Sequence, residues 1–171
     1  MSFILYLMRH AKSDWSKAGI SDFDRPINRR GQKNARHIGQ WLLEHNNIPQ
    51  QIVSSAALRA KQTTELVVEE LDSKPEKVFY DDKLYLASAK TLLEYIQVYK
   101  AGLNSLMLLA HNPGIEDLVA YLLTKSEPSG ASTLSITTAN VAVFNYDDND
   151  FDIYNDKAEL IEFIRPNDIS H

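Results

Sequence analysis

Phe3-Ile4-Leu5-Tyr6-Leu7-Met8 runs directly into Arg9-His10, and the reading of this stretch decides the fold. Six apolar residues of strand-forming type read as a buried strand. A guanidinium and an imidazole are costly to bury, so a core strand ending on that pair should open its tip into a pocket. In open α/β sheets, ligands bind outside the carboxyl ends of the strands. Arginine can fork onto phosphate oxygens, and histidine can act as nucleophile or acid–base group near neutral pH. The local pattern points toward phosphoryl chemistry.

Working outward, three further apolar runs follow at Gln51–Ser54, Lys77–Tyr80 and Ser105–Ala110, each trailed by a segment of helical spacing. Asn28–Glu44 carries Ala35, Ile38, Trp41, Leu42 and His45 on or near one face, with Asn28 as N-cap. Leu58–Leu71, closed by Lys74-Pro75, and Ser88–Tyr99 repeat the pattern. Pro113 is placed as the first helical residue before Gly114–Leu123. Strands alternating with helices predict a mainly parallel sheet covered on both faces. Beyond it, Asn140–Tyr146 and Ala158–Arg165 read as strands of an antiparallel edge. Between them Asp147-Asp148-Asn149-Asp150 forms a tight turn. The Asp-rich stretch lacks the spacing of a calcium loop.

At 171 residues the chain is expected to be one domain, 1–171, with one well-buried core. A net charge of −5 argues against a general nucleic-acid binder. It leaves room for a local arginine cluster that binds an anion. The absence of cysteine excludes disulfides, thiolate catalysis and cysteine-held zinc. No apolar run approaches a membrane span and no secretory pattern opens the chain, so a cytoplasmic protein without membrane partners is expected.

The strand Ser105–Ala110 leads into His111, then Asn112-Pro113-Gly114 and a helix. A second histidine should therefore reach the same sheet edge as Arg9 and His10, beside a helix N-terminus that favours anions. Ile52-Val53-Ser54-Ser55 leads to Arg59 near the start of the next helix. Taken singly, each residue has an ordinary packing or surface role. Together they outline an anion-binding site.

Leu7-Met8-Arg9-His10-Ala11-Lys12-Ser13-Asp14-Trp15 resembles the signature of the histidine phosphatase superfamily. So do Arg25-Pro26-Ile27-Asn28 with Gly31 and Ala35, Ser54-Ser55 with Arg59, Ala60 and Gln62-Thr63, and His111-Asn112-Pro113. Asp82 with Leu84-Tyr85 and the short length are most similar to the SixA group of phosphohistidine phosphatases. The resemblance implies a three-layer α/β/α sandwich of the phosphoglycerate mutase-like type, working without metal or other cofactor. His10 would be the phosphoryl-accepting nucleophile, and Arg9, Arg59 and His111 would hold the non-bridging oxygens. Ser13, Ser16, Arg25 and Asn112 are candidate substrate-binding residues. Arg25 could equally form a salt bridge with Asp22 or Asp24. Lys12, expected to be exposed, could attract an acidic partner.

The general acid is the weak point of the pattern. Lys83 falls at the position nearest to that of the usual carboxylate, which leaves Asp82 as the best candidate and Asp81 or Glu116 behind it. A phosphohistidine, whose nitrogen leaving group departs more readily than an alkoxide, needs that acid least. The leading expectation is therefore a phosphorylated protein as partner and substrate. The alternatives are a small phosphate ester such as a phosphosugar, or a phosphate-binding domain without turnover. His37 and His45 are expected to be structural, and His171 terminal and mobile. A metal site from His10, His111 and Asp14, Asp22 or Asp24 has no supporting ligand spacing.

Overall fold

The computed structural model describes residues 1–126 and 134–169. Its order is β1 (Phe3–Arg9), α1 (Arg29–Glu44), β2 (Gln51–Ser55), α2 (Leu58–Glu69), β3 (Lys77–Asp81), α3 (Ala89–Tyr99), β4 (Ser105–Ala110), α4 (Gly114–Ser126), β5 (Val141–Tyr146) and β6 (Glu159–Ile164). Short 3₁₀ turns occupy Asp82–Leu84 and Pro166–Asp168. The six strands form one sheet in the order β3-β2-β4-β1-β5-β6. The first four of that row run parallel, whereas β5 is antiparallel to both its neighbours. The antiparallel strand is thus β5, inside the sheet, and β6 forms the edge.

Strand alternation builds two cores, one on each face. Phe3, Leu5 and Leu7 of β1 join Leu106 and Leu108 of β4 against Leu92 and Ile96 of α3 and Ile115, Leu118 and Leu122 of α4. Tyr6 and Met8 join Met107 and Leu109 against Ala35, Ile38 and Leu42 of α1 and Ala60 and Val67 of α2. The result is a three-layer α/β/α sandwich. Both faces of β1 and β4 are covered, which is why they read as unbroken apolar runs rather than alternating ones.

Capping follows the sequence closely. The Asn28 side chain accepts the Gly31 N–H at 2.8 Å, and Ser88 accepts that of Thr91 at the start of α3. α2 ends at Glu69, two residues before the expected Leu71, and Lys74 Nζ reaches back to donate to the Val68 and Glu69 carbonyls. The tight hairpin turn is a correction. Residues 147–158 all lie between β5 and β6, because Phe151 and Ile153 turn inward and are buried. Phe151 stacks on Tyr146 with ring centroids 3.7 Å apart.

Candidate active site

The sheet register brings the expected residues to one edge. Arg9 of β1 pairs with Ala110 of β4, so His10 and His111 leave adjacent strand ends side by side, with ring centroids 5.0 Å apart. Beyond β4, the carboxyl end of β2 leads into α2, whose first turn carries Arg59. They open onto a cavity of about 590 Å³ that is also lined by Arg9, Lys12, Ser13, Asp22, Arg25 and Asn112.

His10 is 7% exposed. Its Nδ1 lies 2.7 Å from the Ala11 carbonyl oxygen. A carbonyl can only accept, so Nδ1 carries the proton and Nε2 keeps its lone pair. Arg59 Nε donates to that Nε2 at 3.4 Å. Burial above all, and then the nearby Arg59, Arg9 and Arg25, lower the His10 pKa to about 3. The ring is therefore neutral in ordinary buffers. Thr63 holds the backbone here, accepting the Ala11 N–H at 2.9 Å and donating to the Arg59 carbonyl at 2.7 Å. One threonine thus fixes the β1 tip against α2.

His111 is 1% exposed, and burial followed by repulsion from His10 and Arg59 lowers its pKa to about 3 as well. Its Nε2 lies 2.7 Å from Ser55 Oγ. That oxygen also accepts the Ala57 N–H at 3.2 Å, so one hydroxyl ties the His111 ring to the start of α2. The other ring nitrogen, Nδ1, is buried without a partner. Ser55, quoted in the sequence only as part of a motif, thereby holds the His111 ring in place.

Arg9 is positioned from the α4 side. Its Nη1 donates to the Ile136 carbonyl at 3.0 Å, and Asn112 Nδ2 donates to the same oxygen at 2.9 Å. Glu116 Oε2 accepts the Ile136 N–H at 2.9 Å and Asn112 Nδ2 at 3.3 Å. Glu116 is thus committed to holding the backbone that holds Arg9.

Asp22 is the carboxylate in the cavity wall. Arg59 donates to its backbone oxygen at 2.6 Å and to Oδ2 at 3.1 Å. Arg25 and the Tyr85 hydroxyl also donate to its side chain. Those hydrogen bonds, Tyr85 first and Arg25 second, hold the Asp22 carboxyl far below the usual carboxylate range. The same contact raises the Tyr85 pKa, with burial as the second cause. Tyr85 also sets its ring edge-on to His111 at 5.5 Å. Arg25 additionally donates to Ser13 Oγ and lies 3.5 Å above the ring of Trp15, which is 76% exposed. Both readings of Arg25 are therefore present in one geometry: it pairs with Asp22 and it lines the cavity.

Comparison with known proteins matches this arrangement to a family. Residues 5–84 fit the model of the histidine phosphatase superfamily, branch 1. An uncharacterized protein of Mycobacterium leprae is 30% identical over 93% of this chain and 99% of its own length. A chloroplastic protein of Arabidopsis thaliana is 30% identical over 81% of this chain, and the match spans 64% of that protein. A Haemophilus influenzae relative, a phosphohistidine phosphatase SixA homolog, is 26% identical over 94% of this chain and 99% of its own. The crystal structure assigned to the phosphohistidine phosphatase SixA of Agrobacterium tumefaciens superposes with a TM-score of 0.78 at 29% identity, covering 96% and 98% of the two chains.

The chain belongs to the histidine phosphatase superfamily.

Within this histidine phosphatase the structure separates the expected residues. Arg9, His10, Arg59, His111, Ser13, Arg25 and Asn112 line one cavity. Ser16 does not, because its hydroxyl donates to Asp14 at 2.6 Å in an exposed turn, a local bond that draws it away. Asp82 is exposed in the 3₁₀ turn and outside the cavity wall. The wall also stops at Asn112 rather than continuing onto the α4 N-terminus. Gly114 is packed there so closely that a Cβ would lie 2.0 Å from the Ala87 oxygen, and the Ile115 N–H is bonded to the His111 carbonyl. Sequence reasoning paired Asp22 with Arg25 but missed its contacts with Arg59 and Tyr85. The Asp22-x-x-Arg25 spacing was the one available signal.

His45 stacks on Trp41 and bonds its carbonyl on the exposed side of α1, and His37 is half-buried there. His171 lies outside the described residues. Among the described residues no three His, Asp or Glu side chains gather in a metal-binding group, and no helix is long and apolar enough to cross a membrane.

Proposed function

We propose that this histidine phosphatase hydrolyses phosphohistidine on a protein through a phosphoenzyme on His10. The observation that carries the reading is the state of His10: neutral, with Nδ1 bound to the Ala11 carbonyl and the Nε2 lone pair facing Arg59. Around it, Arg9 Nε, Arg25 Nε and His111 Nδ1 are buried nitrogens without partners. An anion with three non-bridging oxygens suits such a set.

In the first step His10 Nε2 forms a bond to phosphorus as the substrate's N–P bond breaks, and the departing nitrogen keeps the electron pair. In the second step water attacks the phosphohistidine, Nε2 leaves with its pair, and inorganic phosphate departs. The arginines neutralise charge throughout, which is most of what phosphoryl transfer requires.

The nitrogen leaving group is favoured by the cavity's carboxylate. Asp22 is held ionised by three donors and so makes a poor acid, a defect that hurts alkoxide departure far more than imidazole departure. Asn112 Oδ1, a buried acceptor without a partner, suits an N–H of the leaving ring.

The test is a panel of phosphohistidine protein, phosphotyrosine peptide, sugar phosphates and an aryl phosphate, with acid-quench trapping of labelled enzyme. The expected result is fastest turnover on phosphohistidine and a labelled intermediate that His10→Ala abolishes. Faster turnover of esters would reject the substrate assignment, and turnover surviving in His10→Ala would reject the nucleophile.

A further inference from the structure

A second pocket, of about 300 Å³, adjoins the first and shares Lys12, Thr137 and Thr138 with it. Arg30 of α1 and Arg165 after β6 add two guanidinium groups to its wall. No carboxylate lines it, although the chain as a whole carries a net charge of −5. The side chains of Lys12 and Arg30 make no hydrogen bond or ion pair among the described residues. Arg165 has one acidic neighbour, Asp168 at 3.8 Å, with both side chains exposed, a contact too weak to occupy it.

The same wall contains Asn140, 1% exposed, whose Nδ2 and Oδ1 both lack a partner. Leaving a buried amide unsatisfied is unfavourable, and a ligand oxygen in this pocket would accept from Nδ2. Three cations that share one weak, exposed counter-charge and a buried donor without an acceptor describe one complementary ligand, an anionic oxygen group. The shared wall makes this pocket a continuation of the catalytic cavity.

We propose that the side pocket binds a second anionic group, a carboxylate or phosphate, carried by the same substrate whose phosphoryl group enters the catalytic cavity. This rests on the phosphatase reading above and deepens it. On a protein substrate the group is an acidic side chain flanking the phosphorylated residue. On a small substrate it is a second phosphate or carboxylate.

Equilibrium binding to the full chain tests it. One arm uses peptides bearing a stable phosphoryl-triazole mimic of phosphohistidine, with Glu or Gln placed at each flanking position in turn. The other compares an alkane bisphosphate with the matching monophosphate. At least one Glu peptide, or the bisphosphate, should bind roughly tenfold more tightly than its neutral or singly charged counterpart. Arg30→Gln with Arg165→Gln should erase that preference while monophosphate affinity stays as it was. A preference confined to the peptide arm assigns the group to an acidic protein segment, and one confined to the bisphosphate arm assigns it to a small molecule. The absence of preference in both arms, or a preference that survives the double variant, overturns the proposal. Because the readout is binding, loss of all turnover would sink the phosphatase reading alone, and turnover without anion preference would sink this one alone.

Discussion

The two cavity histidines should make the protein unusually sensitive to mild acid. His10 and His111 have pKa values lowered to about 3 in the folded chain, against about 6.5 in an unfolded one. Their folded pKa values are depressed, so the associated stability is fully present above the unfolded value. It is lost progressively as pH falls toward the folded one. From about pH 7.5 to about pH 5 the unfolded chain gains close to one proton at each site and the native chain almost none. Unfolding free energy then drops by about 2 kcal/mol per histidine, or about 4 kcal/mol for the pair. Asp22, whose pKa is also lowered, cannot contribute in this window, because a carboxylate unfolds charged until pH nears about 4. With a urea m-value of about 2 kcal/mol per M, the midpoint should fall by about 2 M. Tryptophan fluorescence in urea across that range measures it, on the parent and on a His10→Gln/His111→Gln variant. The variant should keep its midpoint where the parent loses its own. Equal pH dependence in the two proteins would show that the histidines are not held neutral by the fold.

Ser55→Ala should lower kcat by roughly tenfold, because His111 loses the hydroxyl bound to its Nε2. Imidazole nitrogen NMR should show a shifted His111 Nε2 resonance, and an unchanged spectrum would refute the role given to this contact. Asp82→Asn should alter kcat/KM by less than about twofold, since Asp82 stands outside the cavity; a large loss in steady-state assays would restore it as the acid. Gly31→Ala should destabilise by roughly 1–3 kcal/mol, because the new Cβ would sit 2.3 Å from the Lys12 carbonyl oxygen. Thermal unfolding checks this, and an unshifted midpoint would mean that the Lys12 backbone yields freely.

The four residues at the sheet edge were legible because hydrophobic runs of fixed type located the strands, and strand ends in a parallel sheet share one edge. Asn28 was legible as a cap because its role is local. Asp22 was legible only as a local partner of Arg25, since its other partners are brought to it by tertiary structure: Tyr85 is 63 residues away and Arg59 is 37. Glu116 was read as a remote candidate acid, whereas its contacts with Asn112 and Ile136 tie it to backbone support. In the β5–β6 connection an Asp-rich composition hid two core residues, Phe151 and Ile153. Most of these misses concern contacts between residues far apart in the chain, such as Asp22 with Tyr85 and Glu116 with Ile136.

Without substrate, Asp22 supplies the negative charge that its arginines require. Arg59 has two of its nitrogens on Asp22 and only Nε toward His10, and Arg25 divides its contacts between Asp22 and Ser13. A phosphoryl group on the same guanidinium would meet that carboxylate as a like charge, which is costly in a partly buried site. Substrate entry therefore requires the Asp22 side chain, 43% exposed, to give up Arg59 or to share it. Removing the charge while keeping the shape, as in Asp22→Asn, should tighten binding of inorganic phosphate. It should also slow turnover, because the amide holds Arg59 and Arg25 less firmly in place. Phosphate inhibition constants measured beside kcat separate the two effects. Weaker phosphate binding in the variant would mean that Asp22 serves as a positioning residue and does not compete with the substrate for its arginines.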